Sequence, residues 1–138
     1  ATGRGDFPNQ VNNSLCFPGL LKGALLVKAR KVTDPMAIAA AYAIADVAEQ
    51  KGLSTDYICP LMDETETFPA VARAVALQAI ADGVARVELS GDDVYAQAQT
   101  DIDETRSLVR HLMEQGYIKQ PSPDMLETCL EKAIEQVG

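Results

Sequence analysis

Four carboxamide side chains stand close together near the start of the sequence: Asn9, Gln10, Asn12 and Asn13. A carboxamide both donates and accepts hydrogen bonds without carrying a charge, so this cluster suits a polar small ligand such as a carboxylate or a ribose. The helix predicted to follow would add free N–H groups and the positive end of its dipole, which favour an anion. A simple turn and helix cap would use the same residue types, so the residues alone leave both interpretations open.

No other part of the sequence presents a catalytic or metal-ligating set. Gly3-Arg4-Gly5 lacks the third glycine of the dinucleotide-binding fingerprint. His111 is the single histidine and lies within a predicted helix, which indicates a packing or surface residue rather than a catalytic base. Two pairs of adjacent carboxylates, Asp63-Glu64 and Asp92-Asp93, stand at predicted helix starts, where they interact favourably with the helix dipole. We therefore predict no catalytic residue and no metal ligand in this chain.

The composition excludes several classes of partner. The chain has 138 residues, enough for one domain, and carries 12 basic against 20 acidic residues for a net charge of −8. Nucleic acids and anionic membrane surfaces select basic patches, so neither is expected as a partner. No apolar run is long enough to cross a bilayer. The three widely spaced cysteines, Cys16, Cys59 and Cys129, predict reduced thiols and a cytoplasmic protein.

The apolar spacing predicts a chain of about five helices with almost no strand. Thr33, Asp34 and Pro35 form a strong helix start, and glycine follows three of the predicted helices. Residues 57–60 are expected to form a short strand or an extended link. The predicted helices are 13–29 with a break near Pro18-Gly19, 36–50, 69–82, 92–115 and 124–137.

The charge is unevenly distributed along the chain. Residues 1–60 carry six basic and five acidic side chains, whereas residues 61–138 carry six basic and fifteen acidic ones. A stand-alone acidic helical module that binds a partner protein through an apolar helix face is one hypothesis that fits this pattern.

A second hypothesis rests on a resemblance. Residues 1–13 read Ala-Thr-Gly-Arg-Gly-Asp-Phe-Pro-Asn-Gln-Val-Asn-Asn, and Leu-Cys-Phe-Pro-Gly follows at 15–19 and Lys-Gly-Ala-Leu at 22–25. This sequence closely resembles the NAD(P)-dependent malic enzymes of the short bacterial and archaeal type. The resemblance covers about residues 1–86, which would be the C-terminal part of the NAD(P)-binding domain. Residues 87–138 are then expected to form a helical C-terminal extension.

The resemblance implies an α/β parent of the Rossmann type, a doubly wound NAD(P)-binding domain. This piece would keep the helices and at most one or two short strands. It implies oxidative decarboxylation of malate to pyruvate and carbon dioxide, with reduction of NAD or NADP and a divalent metal, Mg or Mn. The family's catalytic tyrosine and lysine and its metal ligands have no counterpart here, so the isolated piece is expected to be inactive.

The resemblance also implies site residues. Asn13 would reach both the substrate carboxylate and the nicotinamide ribose, and Asn12 would be its neighbour in the same wall. The turn of Thr2, Gly3 and Arg4 would pass close to the nicotinamide end of the cofactor. A malolactic-type enzyme remains the alternative activity, and the choice between NAD and NADP stays open. The partners expected are the rest of the malic enzyme chain and a further copy in a homo-oligomer.

Overall fold

The computed structural model describes residues 1–137 and consists of helices joined by short links. Within these residues there is no β-strand; two isolated bridges pair Thr2 with Gln10 and Ser54 with Tyr57. The chain forms two compact units, Ala1–Ile102 and a second one from Asp103 onward. The helices are a 3-10 turn at Asn13–Leu15, α1 at Phe17–Leu26, α2 at Asp34–Lys51, α3 at Thr67–Ala81, α4 at Gly91–Glu114 and α5 at Pro123–Val137.

The mainly helical character predicted from the sequence is confirmed, with two local differences. The first predicted helix is divided, because α1 starts at Phe17 and carries Pro18 in its first turn, where a missing N–H costs nothing. The break therefore lies before the Pro-Gly pair. Residues 57–60 form no strand, and only the single bridge at Tyr57 marks the predicted extended segment.

The start of α2 is fixed by the residues that the sequence singled out. The Thr33 side chain accepts a hydrogen bond from the Met36 backbone N–H at 3.3 Å. The Thr33 hydroxyl in turn donates to Asp82, just beyond the end of α3, and the Gln78 amide donates to the other Asp82 oxygen at 2.7 Å. One carboxylate thus joins the start of α2 to the end of α3.

This carboxylate gives a pH-dependent contribution to stability. The hydrogen bonds from Thr33 and then Gln78 hold the pKa of Asp82 below its ordinary value. A lowered pKa in the folded state means that the stabilisation is present above the unfolded carboxyl pKa of about 4 and is lost as pH falls below it. We expect the thermal midpoint of the chain to fall between pH 6 and pH 3, and to fall less in Asp82→Asn. Parallel curves for the two proteins would contradict this role.

Helix α3 is the centre of the first unit and packs against both α1 and α2. The contact with α1 depends on two glycines one turn apart. A Cβ at Gly19 would lie 2.6 Å from Val71 Cβ, and one at Gly23 would lie 2.4 Å from the Ala72 carbonyl oxygen. The backbones can approach this closely only because no side chain stands between them.

The first part of α4 closes the same core. Val94 and Ala98 are buried and belong to one apolar cluster with residues of α1, α2 and α3. Lys22 of α1 forms an ion pair with Asp101 of α4. The core is built largely from alanine and valine, so the helices lie close together. Its fully buried members include Val27, Met36, Ala40, Val71, Ala72, Val75, Ala76 and Ala79.

The outer face of α1 is apolar and uncovered. Phe17, Leu21 and Leu25 lie four residues apart and are 59%, 39% and 71% exposed. A helix that is apolar on two sides normally lies between two packed layers. This stripe is therefore an exposed apolar surface of the first unit.

The second unit also exposes an apolar helix side. Every residue of α5 from Pro123 to Gln136 is exposed. Even so, none of the helices within residues 1–137 is long and apolar enough to span a membrane. The exposed apolar side of α5 consists of Met125, Leu126, Leu130 and Ile134.

A buried hydroxyl at the start of α3 supplies a stability prediction. Thr67 is fully buried, and its Oγ1 has no hydrogen-bond partner among residues 1–137. Thr67→Val keeps the shape and removes the unsatisfied group, so we expect the free energy of unfolding to rise by about 1 kcal/mol. The control Thr67→Ser keeps the hydroxyl but loses a buried methyl, and should cost about 1 kcal/mol. Urea unfolding measures both, and a destabilised valine variant would contradict the prediction.

Candidate functional site

The first eleven residues form a closed loop held by backbone hydrogen bonds. The Thr2 N–H donates to the Asn9 carbonyl at 3.3 Å, and the Val11 N–H donates to the Thr2 carbonyl at 2.8 Å. The Gln10 side chain donates to the Gly3 carbonyl at 3.2 Å. The loop therefore brings the turn that begins at Thr2 beside the Asn-rich stretch, although seven residues separate them in sequence.

Asn9 connects this loop to a distant part of the chain. Its Nδ2 donates to the Thr55 carbonyl at 2.7 Å, and its Oδ1 accepts from the Ile58 backbone N–H at 2.8 Å. Asn9 has a φ of 59°, a left-handed conformation that asparagine adopts more readily than most residues. Donor and acceptor are both engaged here, so this amide serves as a tether. This tether could not be predicted from the sequence, because its partners are backbone atoms of a remote turn.

Asn12 and Asn13 differ in what their side chains do. The half-buried Asn12 places its Oδ1 3.0 Å from the Ser14 backbone N–H, which caps the 3-10 turn. Asn13 is exposed, and its carboxamide has no hydrogen-bond partner among residues 1–137. The cap interpretation therefore applies to the Asn12 oxygen, while the Asn13 amide is available to a ligand from solvent.

Arg4 is exposed and engaged with its neighbours. Its guanidinium forms two hydrogen bonds to the Asp6 carboxylate, one of 2.9 Å, and its centre lies 4.9 Å from the centroid of the Phe7 ring. The guanidinium holds the pKa of Asp6 below its ordinary value, and the carboxylate raises the pKa of Arg4. Exposed pairs of this kind add little stability, so Arg4 can exchange Asp6 for a bound anion at low cost.

The turn that Asn9 contacts is anchored to α2 and α3 by a second polar cluster. The Tyr57 hydroxyl donates to Glu64 Oε2 at 2.7 Å, and Lys51 Nζ lies 3.0 Å from the same oxygen and also pairs with Glu66. Lys51 lowers the pKa of Glu66 through its hydrogen bond, while burial and then Glu64 raise the pKa of Tyr57. The turn is therefore fixed to the end of one helix and the start of the next.

Among residues 1–137, the remaining thiol and acidic side chains form no second site. Cys16 and Cys59 are half-buried and Cys129 is exposed, all as free thiols, and burial raises the pKa of Cys16. A thiol of raised pKa is a weaker nucleophile at neutral pH. In the part of the chain that the structure describes, no three histidine, cysteine, aspartate or glutamate side chains are grouped to hold a metal ion.

The exposed Asn13 amide on this tethered loop can both donate to and accept from a small polar ligand. The family described as the malic enzyme NAD-binding domain matches residues 2–80. The chain belongs to this family.

The relatives and one solved structure agree with that assignment. The bifunctional malic/malolactic enzyme of Bacillus subtilis is 48% identical over 93 residues, which are 67% of this chain and 23% of that protein. The NADP-dependent malic enzyme of Haemophilus influenzae is 40% identical over 113 residues, 72% of this chain and 15% of that one. The crystal structure of the Entamoeba histolytica malic enzyme superposes with a TM-score of 0.92 at 52% identity, covering 99% of this chain and 28% of that one. The chain thus spans less than a third of each of these proteins.

Proposed function

We propose that this chain is part of a malic enzyme that converts malate to pyruvate and carbon dioxide while reducing NAD or NADP. The observation that carries the proposal is the superposition of nearly the whole chain on the Entamoeba histolytica malic enzyme, with 52% of residues identical. The matched relatives include an NADP-dependent malic enzyme, and the family is an NAD-binding domain, so both cofactors stay within the proposal.

In this proposal the exposed Asn13 amide binds the substrate carboxylate and the nicotinamide ribose. An uncharged amide orients a carboxylate without placing a fixed charge beside the transferred hydride. Asn12 is its neighbour in the same wall, and its Oδ1 holds the turn by accepting from the Ser14 N–H. Thr2, Gly3 and Arg4 line the nicotinamide end; a Cβ at Gly3 would meet no atom within 4 Å, so the turn is open on that side. When bound, NAD(P) supplies the hydride acceptor.

The divalent metal, Mg or Mn, belongs in this proposal to the part of the protein outside the described residues. Residues 1–137 do not bring together a metal-ligating set, so they do not fit that role. The catalytic tyrosine and lysine of the proposed reaction are likewise assigned outside this chain. What residues 1–137 contribute is binding and orientation of the substrate and of the nicotinamide.

We propose a doubly wound Rossmann-type domain as the parent fold, with residues 1–86 as its C-terminal part and 87–138 as a helical extension. The support is the apolar outer stripe of α1, formed by Phe17, Leu21 and Leu25, which the strands of such a domain would cover. The rest of the malic enzyme chain is then the first partner. We also propose that the protein forms a homo-oligomer and is located in the cytoplasm. The three free thiols support the cytoplasmic location.

A malolactic activity is the second candidate, and one observation favours it. The Bacillus subtilis relative, 48% identical over the matched residues, is named a bifunctional malic/malolactic enzyme. The two reactions differ in their products, because only the malic reaction accumulates pyruvate and reduced cofactor. The acidic helical module is not favoured, since the family match covers more than half of the chain.

The test compares the 138-residue chain with the full-length protein that carries it. With malate, manganese and either cofactor, we expect the full-length protein to form reduced cofactor and pyruvate, and the 138-residue chain to form neither. Light scattering should show the isolated chain self-associating through its uncovered apolar faces. Turnover by the pure 138-residue chain would contradict the assignment of the catalytic groups elsewhere. Lactate as the product would identify the malolactic activity, and an inactive full-length protein would contradict both.

A further inference from the structure

The turn at residues 54–62 is attached to both ends of the segment that carries Asn12 and Asn13. At one end the Asn9 amide bonds two backbone groups of the turn, 46 and 49 residues away in sequence. At the other end the Ser14 hydroxyl contacts the Met62 sulfur, a weak acceptor. The segment is therefore held at both ends by the turn at residues 54–62.

The turn is itself held in place. A two-way backbone pair joins Ser54 and Tyr57 at 3.0 and 3.3 Å. Tyr57 then reaches Glu64, and Glu64 pairs with Lys51 at the end of α2. A chain of polar contacts thus runs from the rigid helices, through the turn, to Asn9. A support of this kind can fix the position of groups that contact a ligand.

We propose that Asn9 is a positioning residue for the substrate wall, and this inference rests on the proposed function. Its amide fixes the start of the loop against the turn, and the loop delivers Asn13 four residues later. Between the two, the chain is held within the loop itself by the Val11–Thr2 backbone bond, the Gln10–Gly3 bond and the Asn12 cap. Loss of the tether leaves the fold of the helices intact but widens the range of positions open to the Asn13 amide. A looser amide binds the malate carboxylate less well.

The experiment replaces Asn9 in the full-length protein. Asn9→Gly accepts the left-handed backbone without strain and removes only the tether. We expect KM for malate to rise about tenfold and kcat to fall by less than about threefold. The reason is that a poorly positioned Asn13 amide mainly weakens malate binding. Asp56→Asn is the matched control, because it alters an exposed side chain of the same turn and leaves both Asn9 bonds in place. This control should keep both kinetic constants.

A purely structural role would give a different result. It would reduce the fraction of active protein and lower kcat at unchanged KM, and that outcome would overturn the proposal. Hydrogen exchange supplies a readout that needs no activity. The backbone amides of residues 11–14 and 54–58 should exchange at least tenfold faster in Asn9→Gly. Their exchange rates should stay unchanged in Asp56→Asn. If the wild-type protein fails to turn over malate, the proposed function is wrong. The exchange rates then test by themselves whether Asn9 tethers the loop, and unchanged rates in Asn9→Gly would overturn the tether.

Discussion

Gly23→Ala is expected to lower the free energy of unfolding by about 3 kcal/mol, a large share of the stability of a small domain. A Cβ at this position would lie 2.4 Å from the Ala72 carbonyl oxygen and 3.0 Å from Val75 Cβ. The carbonyl belongs to the backbone of α3, so no side-chain rotation relieves the contact. Helices α1 and α3 must move apart, and the apolar cluster between them loses packing.

The sign of this effect separates packing from helix propensity. Alanine in a helix interior is favoured over glycine by about 1 kcal/mol, so propensity alone predicts a more stable protein. Urea unfolding of Gly23→Ala followed by circular dichroism decides between the two. Gly3→Ala is the control, because nothing lies within 4 Å of its Cβ, and it should change stability by less than about 0.5 kcal/mol. A stabilised Gly23→Ala would mean that α1 and α3 are farther apart than in this structure.

The helices could be predicted because their signals are local. Pro35 after a threonine cap, and glycines with positive φ at Gly52, Gly83 and Gly116, mark helix ends by their own chemistry. The near absence of strands among residues 1–137 was predictable for the same reason, since long alternating runs of β-branched residues are rare in the sequence; the short strand allowed at 57–60 did not form. The exact start of α1 could not be predicted, because a proline serves equally in a helix break and in a first turn.

The site was less predictable than the fold. The sequence contains four neighbouring carboxamide side chains. Which of them is free to bind a ligand depends on tertiary contacts that cannot be predicted from the sequence. Asn9 meets a turn nearly fifty residues away, Asn12 caps its own turn, and Asn13 faces solvent. Only three-dimensional packing separates a tether, a cap and a free ligand group. The resemblance pointed to Asn13, which the structure leaves unengaged; its role in binding stays a prediction.

That role gives the second large effect. In the full-length protein, Asn13→Ala should lower kcat/KM for malate about 10- to 100-fold, since a hydrogen bond to a charged group contributes about 1.5 to 3 kcal/mol. Asn13→Asp should lower kcat/KM for malate further. It places a second negative charge about 4 Å from the substrate carboxylate, and the repulsion at a partly shielded site is about 4 kcal/mol, or about 1000-fold. Initial rates over a range of malate concentrations measure both variants.

Asn12→Asp is the matched control for this charge. The aspartate adds the same charge one residue earlier, and its oxygen can still accept from the Ser14 N–H, so the 3-10 turn is preserved. We expect a loss of about tenfold or less, because the residue 12 oxygen is engaged in the cap with the Ser14 N–H and the added charge is partly screened by water. Equal losses in the two aspartate variants would mean that the loop senses charge in general, and Asn13 would then have no specific contact. An unaffected Asn13→Asp would remove Asn13 from the site, because a carboxylate cannot take the place of an amide beside another carboxylate without cost.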